Sequence, residues 1–131
     1  MFSLLVSLFM VAPSIKPCNE IMLFAVNSVS FNPPTPLPGE KVALQLNYTV
    51  PFGYIATAGT VRYELTYNFL PLAPTVEPLC QNIPCPLSPG TYENSTFADW
   101  PKDLVGTLKT KIIWKDILGV QLLCLNIDAK L

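Results

Sequence analysis

An all-β chain, folded as a sandwich of two antiparallel sheets, is predicted by three features of the sequence. No segment sustains an apolar period of 3.6 residues, 14 of the 131 residues are proline, and several short stretches alternate strictly between apolar and polar residues. Period two is the signature of a strand with one buried face, and proline excludes helix interiors and central strands alike.

The elements follow in order. Asn19 to Phe31 is mostly apolar with serines and predicts a first strand. Asn32-Pro33-Pro34-Thr35-Pro36-Leu37-Pro38-Gly39 then breaks the chain. From Lys41 to Val50 the alternation is clean, with Val42, Leu44, Leu46, Tyr48 and Val50 on one face and Lys41, Ala43, Gln45, Asn47 and Thr49 on the other. A second alternating run places Val61, Tyr63, Leu65, Tyr67 and Phe69 opposite Arg62, Glu64, Thr66 and Asn68. Leu70 to Pro78 is an extended, proline-spaced connection into Cys80-Gln81-Asn82-Ile83-Pro84-Cys85, and Tyr92 to Phe97 predicts a short strand. Thr107 to Lys115 alternates again, with Ile112 and Trp114 on one face and Lys109, Lys111 and Lys115 on the other. Asp116 to Gly119 supplies a hairpin turn, and the last strand carries Leu123, Leu125, Ile127 and Ala129 on one face and Cys124 on the opposite one. Six or seven short strands separated by turn signals fit a sandwich of the immunoglobulin-like kind.

Length predicts a single domain. Half of the residues are apolar and only 13% are charged, against about a quarter charged in an average globular protein. The apolar surplus therefore needs a large core, a leader or a cavity. Phe2 to Ala12 is an unbroken run of apolar residues and serines. It is much shorter than the ~20 residues of a membrane span and is expected to be the apolar core of a secretory signal. The expected organisation is a signal over residues 1–14 and one domain over 15–131. Secretion, or residence in the lumen of the endomembrane or lysosomal system, is the expected location. Four cysteines and two glycosylation sequons, at Asn47 and Asn94, point the same way. Proximity pairs Cys80 with Cys85 and leaves Cys18 for Cys124.

Function classes narrow by chemistry. With eight basic and nine acidic residues, the net charge is −1 and no basic stripe invites nucleic acid. The chain has no histidine, the usual base beside a catalytic nucleophile. Its carboxylates are scattered, and one Cys-x₄-Cys with two distant cysteines is poor zinc spacing. No enzyme activity, metal or cofactor is expected.

The ensemble of Cys18, Asn32-Pro33-Pro34 with Pro38-Gly39, Cys80-x₄-Cys85-Pro86-Leu87, Gly90-Thr91-Tyr92, Trp114 and Cys124 resembles the ML lipid-recognition domain family over residues 18–131. That family includes sterol binders of animals and phosphatidylglycerol/phosphatidylinositol transfer proteins of fungi. The resemblance implies two sheets splayed around an apolar cavity, a sterol or phospholipid held between them, and the pairings Cys18–Cys124 and Cys80–Cys85. The inward rows Leu44, Leu46, Tyr48, Val61, Tyr63, Leu65, Tyr67, Ile112 and Trp114 then become the expected cavity wall. Leu72, Phe97, Trp100 and Val105 become its expected mouth. The animal sterol binders carry a further short disulfide where this chain has Asn32 to Gly39, and the proline-rich sequence there is closer to the fungal members. A monomeric carrier is expected. Lys109, Lys111 and Lys115, with Lys102 nearby, are candidates for transient contact with an anionic membrane. The competing expectations are a lipid-dependent interaction module serving a receptor, and a structural domain with a filled core.

Overall fold

The computed structural model describes residues 12–131. Among the described residues, nine strands form two antiparallel sheets: β1 (Ser14–Pro17), β2 (Ala25–Asn32), β3 (Lys41–Val50), β4 (Gly59–Tyr67), β5 (Leu70–Pro71), β6 (Thr75–Pro78), β7 (Gly90–Asp99), β8 (Thr107–Asp116) and β9 (Gln121–Lys130). The larger sheet runs β1-β9-β8-β4-β5, with β6 also pairing with β4, and the smaller runs β2-β3-β7. This is the immunoglobulin-like sandwich of two antiparallel sheets that the alternation predicts. Most of the expected signal, residues 1–11, lies outside the described residues, and residue 14 is the first of β1.

The strand between Asn19 and Phe31 proves to be only its second half. The backbone first pairs through Ser14–Pro17 with β9, passes Cys18, and re-forms as β2 in the other sheet. The chain thus changes sheets beside the Cys18–Cys124 disulfide, whose Cα atoms are 5.3 Å apart. The proline-spaced segment is also more ordered than a connection. Leu70–Pro71 and Thr75–Pro78 both pair with β4, which proline permits because they lie at a sheet edge. Phe69 leaves the row predicted for β4. Asn68 and Phe69 take positive φ angles of 48° and 68° to turn the chain, and Phe69 is exposed.

Strand parity decides what enters the interlayer space. In antiparallel register, residues directly opposite share a face. Leu46 lies opposite Asn94, Leu44 opposite Thr96 and Val42 opposite Ala98. In the larger sheet Val61 lies opposite Trp114, which lies opposite Leu123, and Tyr63 opposite Ile112, which lies opposite Leu125. The core is concentrated at one end, where Phe24, Tyr48, Val50, Leu79, Leu87, Leu122 and Leu123 are almost fully buried. Tyr48 stacks on Phe24 and on Tyr92, with centroids 5.8 and 5.6 Å away, and meets Trp114 edge-on at 5.2 Å. Four aromatic rings therefore plug this end of the sandwich.

Candidate functional site

Beyond the aromatic plug the two sheets do not meet, and an apolar cavity of about 200 Å³ lies between them. Its walls are Val42, Leu44 and Leu46 from β3, Val61 and Tyr63 from β4, Ile112 and Trp114 from β8, and Leu125 and Ile127 from β9. Asn94, Thr96 and Ala98 of β7, Thr110 of β8, and Asn82 and Ile83 from the loop between Cys80 and Cys85 complete it. No Lys, Arg, Asp or Glu is among the lining residues. Burial, reinforced by the Glu77 carboxylate, pushes the Tyr63 hydroxyl above its ordinary pKa, so that side chain too is neutral at physiological pH.

One long side is sealed and the other open. On the sealed side β1 pairs with β9 and the Cys18–Cys124 disulfide sits over β9, where Met22 packs against a small cluster with Ile113. On the open side runs β7, the last strand of its sheet, whose Thr96 and Ala98 remain exposed although they face the cavity. The Cys80–Cys85 disulfide, with Cα atoms 5.5 Å apart, folds its loop so that Ile83 is buried against the cavity. Beside it Leu79, opening a short 3₁₀ turn, is fully buried in the core. The stapled loop is therefore part of the wall.

Six of the nine predicted wall residues line the cavity: Leu44, Leu46, Val61, Tyr63, Ile112 and Trp114. Tyr48 belongs to the plug instead, completely buried, with its hydroxyl unpaired and its pKa pushed up to about 12 by burial and then by Tyr92. Leu65 and Tyr67 lie farther along β4, outside the lining set, and the Tyr67 hydroxyl donates to the Val105 carbonyl at 2.5 Å.

The four predicted mouth residues are placed elsewhere. Phe97 lies between Thr96 and Ala98, so strand parity turns it to the outer face of the small sheet, opposite Ala43. Trp100 packs edge-on against Phe31 and lines a separate hollow of about 330 Å³ at the end of the sandwich, among Pro36, Pro38, Lys102 and Lys130. That hollow is larger, but it lies outside the sheets and carries charges. Leu72 sits at the edge of the large sheet, its N–H donating to the Leu65 carbonyl at 2.8 Å, and Val105 is an exposed loop residue. Asn82, Ile83, Thr96 and Ala98 form the open side instead. Sequence reasoning missed Ile83, the one large aliphatic side chain within the Cys80–Cys85 ring, and that aliphatic character was the only signal the sequence carried.

The sequons and the lysine row can also be placed. Asn47 lies on the outer face, accepting from Asn27 at 2.8 Å and donating to Glu93 at 3.3 Å. Asn94, the other sequon, faces the cavity. The lysine row points away from the cavity, because Lys109, Lys111 and Lys115 alternate with inward-facing residues of β8. It is also partly neutralised. Lys111 pairs with Glu20 at 2.6 Å, holding that carboxyl below its ordinary range, and Lys109 lies opposite Asp128. Cys18, Glu20 and Cys124 lie close together, but both sulfurs are committed to a disulfide and do not form a metal site.

Comparisons with known proteins agree with this architecture. No curated protein matches the sequence. Among solved structures, a Niemann-Pick type C2 protein from Japanese carpenter ant superposes with a TM-score of 0.62 at 13% identity, covering 89% of this chain and 98% of the other. Chicken MD-1, solved in complex with lipid IVa, superposes with a TM-score of 0.58 at 9% identity, covering 90% and 88%. A family model described as the ML domain matches residues 12–131, and the chain belongs to that family.

Proposed function

We propose that this protein is a non-enzymatic carrier that holds a lipid tail between its two sheets, in a secreted or lumenal setting. The observation that carries the reading is a charge-free apolar cavity sealed on one long side and open along β7. Each methylene moved from water into such a space gains about 0.8 kcal/mol, so a sterol or acyl chain needs no fixed charge to be held. Small-molecule sites usually run from about 300 Å³ upward. A cavity of about 200 Å³ therefore suits a slender chain as it stands, and a wider ligand requires the sheets to part. The β7 side, free of any disulfide, is where parting costs least.

The test is native mass spectrometry of the protein from its own secretion route, followed by lipid extraction. A copurifying sterol or phospholipid is expected. Apo mass alone, with no uptake of either lipid from vesicles, would overturn the reading.

A second reading, a lipid-dependent interaction module, is favoured by one observation. Ile21, Phe52, Ile117 and Leu118 are 96, 99, 72 and 84% exposed. Their loops meet at the plugged end of the sandwich through Leu23 N–H to Gln121 carbonyl (3.1 Å) and Tyr54 hydroxyl to Asp116 (2.6 Å). Gel filtration with and without lipid separates the two: a carrier stays monomeric, whereas a partner-seeking module changes its association.

A further inference from the structure

The β7 strand departs from the usual rule for a half-buried strand at three positions. Its inward positions include Asn94 and Thr96, while an outward position holds Phe97. Asn94 is only half-buried at the open margin, so its carboxamide stays solvated in the empty cavity and needs a hydrogen-bonding partner once a lipid displaces that water. Among the described residues, the Asn94 carboxamide has no side-chain partner. Asn82 faces the same cavity from the stapled loop. Its amide donates to Glu77 at 3.3 Å, which fixes the group and leaves its carbonyl oxygen available. Thr96 and Thr110 add hydroxyls to the lining. Asn82, Asn94 and Thr96 thus put neutral donors and acceptors on the open side of the cavity, Thr110 adds a hydroxyl from β8, and no charged side chain lies among them.

We infer that Asn94 is a specificity residue that hydrogen-bonds an uncharged oxygen of the bound lipid, and that it is not a glycan acceptor in the lipid-loaded protein. This rests on the lipid-carrier reading and deepens it. The chemistry that fits is a hydroxyl or an ester carbonyl positioned where an apolar body meets water. An ionised phosphate has no counter-charge in this lining and stays outside. A hydroxyl and an ester can come from different lipids, a sterol or a glycerolipid, and the experiment separates them. The sequon Asn94-Ser95-Thr96 gains a second meaning. A glycan attached there would occupy the space between the sheets, so modification at Asn94 and lipid uptake exclude each other, whereas Asn47 on the outer face is free of that conflict.

The test uses a hydrocarbon fluorophore, diphenylhexatriene, displaced by two matched pairs: cholestanol against cholestane, which lacks only the hydroxyl, and diacyl against dialkyl phosphatidylcholine, which lacks the ester carbonyls. In the unmodified protein the oxygen-bearing member of one pair competes about fivefold better, the size of one net hydrogen bond. Asn94→Leu abolishes that preference, read as the ratio of the two competitors within a pair so that any change in fluorophore affinity cancels, and Asn94→Ser retains part of it. The pair whose discrimination collapses identifies the oxygen. A preference that survives Asn94→Leu, or none in the unmodified protein, overturns the assignment of Asn94. Failure of the fluorophore and every lipid to bind overturns the carrier reading instead. As an independent readout, glycopeptides from lipid-loaded protein carry no sugar at Asn94; a glycan there alongside bound lipid contradicts the inference.

Discussion

Strands β7 and β9 are both ten residues long and both antiparallel, yet one is exposed over most of its length and the other is buried. β9 is interior to the large sheet, with β1 and β8 on its two sides, and the Cys18–Cys124 disulfide covers its outer face. Leu122, Leu123, Cys124 and Leu125 are consequently inaccessible on both faces. β7 has a neighbour on one side only, and the larger sheet stands away from its Thr96 and Ala98. The sandwich is a closed book along β9 and an open one along β7. Stability is concentrated at the spine and access at the free margin.

The comparison can be broken most directly at its covalent part. Cys18–Cys124 closes a loop spanning 106 residues, and its removal as Cys18→Ala/Cys124→Ala is expected to cost about 5 kcal/mol in urea unfolding on the chain-entropy account. Cys80–Cys85 spans five, and its loss costs about 2 kcal/mol on the same account. The shorter bridge is expected to change lipid binding more than its stability cost suggests, because it positions Ile83. Equal effects on stability and binding from both bridges would undo the distinction between spine and margin.

Truncation ranks next. Leu125→Ala, at a residue 1% exposed, is expected to cost about 2–5 kcal/mol. Thr96→Ala on β7 falls within about 0.5 kcal/mol, as exposed substitutions usually do. Comparable losses from the two would show that β7 is held as tightly as β9. Gly59→Ala gives a smaller penalty, about 1–3 kcal/mol, because the added Cβ meets the Lys115 carbonyl and approaches Leu79 Cδ2 to 3.1 Å. The tool for each is the shift in urea midpoint at constant m-value.

The pH dependence sharpens the comparison least but tests its plugged end. The Tyr54 hydroxyl donates to Asp116 at 2.6 Å, and this bond, helped by backbone N–H groups of the β8–β9 turn, holds the Asp116 carboxyl below its ordinary value. A depressed carboxylate stabilises the fold above its unfolded pKa and ceases to do so as pH falls through the folded one. Tyr54 itself is pushed up to about 12, by burial and then by Asp116. Its contribution is complete below its ordinary value of 10.0 and is lost as pH rises toward 12. Tyr54→Phe is expected to lower stability at pH 7 by about 1 kcal/mol and to flatten the acid limb of a thermal-unfolding profile. An unchanged acid limb would remove the clamp from the account.

The sandwich was legible because alternation and burial agree on β3, β4, β8 and β9: large apolar residues face inward and polar ones outward, from Val42 to Val50 and from Val61 to Trp114. The aromatic plug could not be told from a cavity wall, since Tyr48 and Trp114 occupy equivalent positions in the alternation and differ only in what stands opposite them across the layers. β7 departs from clean alternation for a physical reason. At an open margin the inward face is not fully dry, so Asn94 and Thr96 are tolerated there and Phe97 is exposed outside. The mouth residues were implied by the family resemblance and not by alternation; they lie outside the cavity lining, since a margin is defined by missing neighbours in the opposite sheet, which no single strand records.

Trp114 has a consequence of a practical kind. The chain has two tryptophans. Trp114 sits at the floor of the cavity against Tyr48, and Trp100 stands in the separate end hollow against Phe31. The protein therefore carries its own optical gauge and its own internal reference. Arrival of a chain beside the buried indole alters one emission and leaves the other unchanged, so occupancy can be followed in unlabelled protein by comparing Trp100→Phe with Trp114→Phe.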